Sequence, residues 1–218
     1  DNFGNTRTYR FTVHGRRQEI PPYVPEANRM LYWNRNNVIQ EPGMELVVPK
    51  GMLYDNAELQ TEVVGDSAGI SFDYVLDAGS TPLHGFCSLS IGVRHMPVAD
   101  STKYYVVQKV GKRRASMGGK FENGWVKARV RTLGRFAVAV DTIAPRVSPV
   151  GLNTWRTTRN VRLKVGDAET GVASYKVYID GKYVLFKFAS KNAVLSCKHP
   201  SRIKRGVKHR MEVVVTDY

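Results

Sequence analysis

The chain has 218 residues, 42% of them hydrophobic, which is enough to bury the core of one large β-domain or two smaller ones and excludes a disordered protein. Lys and Arg outnumber Asp and Glu by 33 to 19, a net charge of +14 that favours anionic partners such as nucleic acid, anionic lipid or acidic cell-wall polymers, or else a solvated basic surface. No apolar run approaches the roughly 18 residues of a membrane-spanning helix and nothing resembles a signal peptide, leaving a cytoplasmic protein or one whose leader has been removed.

In chain order, the first signal is "DNFGNTRTYRF". Asp1 to Asn5 are turn-forming residues, after which Tyr9, Phe11 and Val13 alternate with Thr8, Arg10 and Thr12. A turn followed by an amphipathic strand is how a β-domain finishes, so residues 1–19 read as the terminal strand of a preceding module. Three prolines in "IPPYVPEAN" (20–28) close that piece. Beyond it, period-2 alternation dominates and helical periodicity is nearly absent. Ile70, Phe72, Tyr74 and Leu76 alternate in "GISFDYVL", and Cys87, Leu89, Ile91 and Val93 in "CSLSIGV". Asn123-Gly124 in "KFENGWVKARV" predicts a hairpin with a type I′ turn, which needs φ > 0 at both central positions.

The stretch "VDTIAPRVSPVG" predicts a domain boundary near residue 144. Asp141 and Thr142 can turn the chain, and Pro145 and Pro149 hold it extended without donating to a ladder. Further on, Val161, Leu163 and Val165 alternate, Asp180-Gly181 predicts a second type I′ hairpin, and Met211, Val213 and Val215 alternate near the end. The expected fold is all-β: residues 20–143 and 144–218 form two consecutive immunoglobulin-like β-sandwich domains after the strand of an upstream module. The second domain is short for such a sandwich, which takes about 100 residues, and reads as lacking its last strand. That strand would resemble residues 1–15, from an absent module, this chain or a second copy.

Chemistry-bearing motifs are sparse. His14, His84, His95, His199 and His209 make no HxH, HExxH or HxxxD spacing, and no GxSxG elbow or P-loop is present. Gly118-Gly119 reads as a flexible approach to the first hairpin. Cys87 and Cys197 stand in no zinc-type spacing, and a disulfide between them would need the two domains to pack together. Asp167 and Glu169 in "GDAETGV" offer too few oxygens for a calcium loop and read as a polar inter-strand turn. The expectation is a chain with no catalytic, cofactor-binding or metal-binding residue. Two basic clusters remain as candidate polyanion contacts: Lys112, Arg113 and Arg114, which follow Lys109, and the group Arg202, Lys204, Arg205 and Lys208, set among Lys198 and Arg210. Solvated loops are the alternative, and no recognition helix or stacking set of aromatics points to nucleic acid. Tyr32, Trp33, Tyr104, Tyr105 and Trp125 could form a sugar-binding platform if exposed, or pack in half-buried strands.

Several segments also carry a resemblance. "PKGMLYD", "KYYVV", "GGKFENGWVKARVRTLGRFAVAVDTIAP", "GVASYKVYIDGKYVLFKF" and "RGVKHRMEVVVTDY" resemble, in that order, the carboxy-terminal region of Bacteroidetes lysostaphin-type (LytM-like) zinc metallopeptidases. In those proteins a peptidase domain precedes β-sandwich modules, one ending in a D-x-x-G-N strand. "VPKGMLYDNAELQ" is similar to the opening of a ZU5-type β-domain. The family's H-x-x-x-D and H-x-H motifs are absent here, so no catalytic or zinc-binding residue carries over. The resemblance implies non-catalytic accessory modules that position or anchor a periplasmic, outer-surface or secreted peptidase near peptidoglycan. Zinc would belong only to the catalytic domain, and the partners would be that domain and an anionic envelope polymer. A carbohydrate-binding or adhesin-type surface module is the alternative.

Overall fold

The computed structural model describes residues 7–15, 29–65, 68–198, 200, 203–204 and 206–218. It is all-β and built of antiparallel sheets, as the alternation predicts. Eleven strands come first: β1 (Arg29–Leu31), β2 (Asn37–Glu41), β3 (Met44–Val48), β4 (Ala57–Val64), β5 (Asp73–Asp77), β6 (Cys87–Gly92), β7 (Tyr104–Val110), β8 (Arg113–Ser116), β9 (Lys120–Glu122), β10 (Trp125–Val130) and β11 (Gly134–Val140). They make a six-stranded sheet ordered β1-β4-β5-β11-β7-β8 and a five-stranded sheet ordered β2-β3-β6-β10-β9.

Alternating side chains decide how these sheets meet. Leu46, Leu89, Ile91, Val126 and Val130 of the five-stranded sheet bury themselves against Leu31, Leu59, Leu76, Val106 and Phe136 of the six-stranded one. Polar residues at the intervening positions of β6 and β10 face outward. Strands β7 and β11 depart from this pattern, with four consecutive residues buried in each. Tyr105, Val107, Ala137 and Ala139 form a small separate core, by alternation on the sheet's other face.

After Val140 the chain passes through Asp141–Pro145 into a second set: β12 (Arg146–Pro149), a single helical turn α1 (Trp155–Thr158), β13 (Asn160–Gly166), β14 (Val172–Ile179), β15 (Lys182–Tyr183), β16 (Lys187–Ala189), β17 (Val194–Lys198) and β18 (Met211–Asp217). The sheets β12-β13-β17-β16 and β15-β14-β18 enclose Val161, Leu163, Val165, Val177, Phe186 and Leu195, with Met211, Val213 and Val215 packed against them. The hairpin at Asp180-Gly181 forms, but β15 pairs over only two residues. Val184–Phe186 then cross to the other sheet, where β16 joins β17.

The strand expected over residues 8–13 is not found. Residues 7–15 pair with no described strand, and Tyr9, Phe11 and Val13 are 73%, 83% and 77% exposed. An amphipathic stretch gains nothing from extension until a sheet covers its apolar side. Residues 1–6 and 16–19 of the same expected element lie outside the described residues.

Candidate functional site

The basic stretch after β7 is a tight hairpin. Val110 pairs with Arg113, so Gly111-Lys112 is a two-residue turn, and Gly111 takes φ +58°. Lys112, Arg113 and Arg114 are exposed and line a shallow pocket of about 340 Å³ whose floor includes Val107 and Ala137. Asp73 is the carboxylate of that pocket, and it is already committed. It accepts Lys109 Nζ at 2.7 and 2.8 Å and Arg135 Nε at 2.8 Å, with Arg135 Nη2 at 2.6 Å. Two cations therefore face one buried anion. Lys112, Arg113 and Arg114 enter no ion pair among the described residues, which leaves the rim positive.

A larger pocket, of about 770 Å³, opens in the second set of strands. Its floor is apolar, from Trp155, Val161, Pro200, Ile203 and Val207, and Arg156, Arg159, Lys204 and Lys208 supply four cationic side chains to its lining. Among the described residues, no carboxylate lines it. Trp155 is fixed by its Nε1–H, which donates to Val150 O at 2.9 Å. The segment that follows is tied back by His209: its Nε2 accepts Lys204 N at 2.9 Å, and its Nδ1 lies 2.6 Å from Asp180 Oδ2 in the hairpin turn. The structure thus brings Lys204 and Lys208 together with Arg156 and Arg159, two residues that the sequence reading passed over. "TWRTTRN" carries the one available signal, two arginines three positions apart beside a tryptophan. Arg202 and Arg205 lie outside the described residues.

A Zu5-like domain matches residues 28–141, more than half of the 218-residue chain. The chain belongs to the Zu5-like family. No curated protein and no solved structure matches it. The Zu5-like domain contains all eleven strands of the first two sheets and the Lys112–Arg114 hairpin; the larger pocket lies beyond it. Its last matched residue, Asp141, belongs to a group of three carboxylates with Asp167 and Asp217 that could hold a metal ion. The candidate aromatic platform divides. Within the Zu5-like domain, Tyr104 and Tyr105 are buried, and Tyr105 donates its hydroxyl hydrogen to Glu169 beyond the domain's end. Burial, followed by that carboxylate, pushes the Tyr105 hydroxyl well above its ordinary pKa. Trp125 is partly buried, and Tyr32 lies under the guanidinium of Arg35 at 3.7 Å. Trp33 alone of the set is largely open, at 48% exposure. Cys87 and Cys197 are free thiols, and burial raises the pKa of both, Cys87 to about 11.

Proposed function

We propose that the chain is a pair of accessory β-sandwich modules of a secreted or periplasmic envelope peptidase, holding that enzyme near peptidoglycan or another anionic wall polymer. The observation that carries this reading is the pocket walled by Arg156, Arg159, Lys204 and Lys208 over an apolar floor, with no carboxylate among the described residues of its lining. Guanidinium and ammonium groups left without protein carboxylates are free to pair with the carboxylates or phosphates of a polymer. The rim of Lys112, Arg113 and Arg114 adds a second positive surface of the same kind. Attraction of this sort is long-ranged, sequence-tolerant and screened by salt. Of the aromatic set, only Trp33 is largely open, which favours charge over sugar stacking as the source of retention.

The test is retention of the purified chain on intact peptidoglycan sacculi at low and high ionic strength. Wild type is retained at about 0.05 M salt and released by about 0.5 M, where the screening length falls from above 10 Å to a few Å. Arg156→Ala with Lys208→Ala is expected to weaken low-salt retention severalfold. Retention indifferent to both salt and these substitutions would refute the charge-based reading, and no retention at either salt would remove the wall polymer as partner.

A further inference from the structure

Three parts of the chain each bring one aspartate to the same place. Asp141 follows β11, Asp167 follows β13, and Asp217 ends β18 opposite Val172. One carboxylate oxygen from each lies within 4.8 Å of the other two. In a chain of net charge +14, none of the three forms an ion pair among the described residues. Three carboxylates at that spacing repel one another unless something positive stands between them.

Asp167 supplies the second observation. Its Oδ1 accepts N–H groups from Glu169 at 2.8 Å, Thr170 at 2.8 Å and Gly171 at 3.0 Å. Its Oδ2 exposes less than 1 Å² to solvent and has no hydrogen-bond partner among the described residues. One buried oxygen of this side chain thus lacks any donor among the described residues. Such an oxygen is costly to desolvate unless a cation or a water faces it. Asp141 is 5% exposed and held in place before any ligand arrives: Oδ1 accepts Ile143 N at 3.0 Å, and Oδ2 accepts Thr170 Oγ1 at 2.6 Å and Thr170 N at 3.2 Å.

We propose that Asp141, Asp167 and Asp217 form a calcium site that fastens the end of the Zu5-like domain to the sandwich that follows. The donor set is all oxygen, with no imidazole or thiolate, which selects a hard cation over zinc. Calcium accepts an irregular set of carboxylates completed by water and backbone carbonyls, whereas magnesium demands near-octahedral geometry. Two of the three ligands come from the second sandwich, so the ion would join Asp141 to both the exit of β13 and the end of β18. The site offered no EF-hand-like spacing because its ligands are drawn from three places in the chain. Asp141 and Asp167 each stood in a recognisable turn, but no spacing joined the two or placed Asp217 beside them.

Terbium reports the site directly, since Tyr105 bonds Glu169 in the same loop as Asp167 and can transfer excitation to a nearby lanthanide. The full chain is stripped with a chelator and titrated with terbium, which is then competed off with calcium or magnesium. The expected result is saturable tyrosine-sensitised emission at one ion per chain, displaced by calcium at concentrations at least tenfold below those of magnesium, and a higher melting temperature in calcium. Asp217→Asn should weaken terbium binding at least tenfold; Asp217 makes no side-chain hydrogen bond among the described residues, so the fold should survive. Asp167→Asn is the second variant. Emission that does not saturate, or that both variants leave unchanged, would overturn the site. Equal displacement by magnesium would overturn its assignment to calcium.

Discussion

Gly43 shows how tightly single positions are specified. It completes the Pro42-Gly43 turn between β2 and β3 at φ +78°, a left-handed conformation that side chains other than glycine pay for. A Cβ built there would stand 2.7 Å from Tyr74 Oη. That hydroxyl is itself fixed, donating to Pro42 O at 2.8 Å, and burial pushes its pKa up to about 12. Gly43→Ala is therefore expected to cost about 2 kcal/mol, from backbone strain and the clash together. Strain remains when the hydroxyl is removed, but the clash does not. In a Tyr74→Phe background the same substitution should cost about half as much in urea denaturation. Equal costs in both backgrounds would show that the hydroxyl gives way freely. The proline-glycine pair marks a turn in sequence, but nothing in the sequence says that a tyrosine from β5 would close over it.

Between elements, Arg29, Glu41 and Thr61 tie the edges of the two large sheets together. Arg29 Nη2 lies 2.6 Å from Glu41 Oε1, and Thr61 Oγ1 donates to the same oxygen at 2.7 Å, joining β1 and β4 of one sheet to β2 of the other. The Thr61 hydrogen bond, opposed by burial and aided by Arg29, holds the Glu41 carboxyl below its ordinary 4.5. A carboxyl depressed on folding contributes stability above its unfolded pKa, and that contribution is lost as pH falls through the folded value. Glu41→Gln should therefore destabilise by about 1 kcal/mol at pH 7, given the partly exposed arginine, and the difference from wild type should shrink as pH drops below 4.5. A difference that stayed constant in denaturant melts down to acid pH would sink this account. Hairpins were the most legible elements. Asn123 and Gly124 take φ +50° and +82°, and Asp180 and Gly181 take +50° and +72°, as the type I′ dipeptides require. Alternation was less reliable at strand ends. Ile70 and Phe72 keep the period, yet β5 starts at Asp73, because Ser71 Oγ rather than a strand carbonyl accepts Val138 N, at 2.8 Å. A side chain that substitutes for a ladder bond leaves no trace in hydrophobic periodicity.

At the scale of the whole molecule, the sequence conveyed an excess of positive charge but not its arrangement. Arg156 and Arg159 meet Lys204 and Lys208 only because α1 precedes β13 while Ile203, Lys204, Val207 and Lys208, far along the chain, line the same pocket. Proximity across such a separation in sequence is invisible to spacing rules, as it was for the three aspartates. The same topology sets how the chain should unfold. The core around Leu89 and Phe136 and the core around Leu163 and Leu195 share no residue. Among the described residues the side-chain links between them are few, Tyr105 to Glu169 and Asp141 to Thr170. Links so few, part-buried and polar contribute about 1 kcal/mol each, well short of the cost of opening a core. Calorimetry without added metal should therefore resolve two transitions, the lower one from the smaller core, which buries less surface per residue. Leu195→Ala should lower only that transition, by about 3 kcal/mol at its midpoint, and Leu89→Ala only the other. If either substitution moved both transitions together, the polar links would be coupling the two cores into one cooperative unit, and a calcium ion would not be needed to join them.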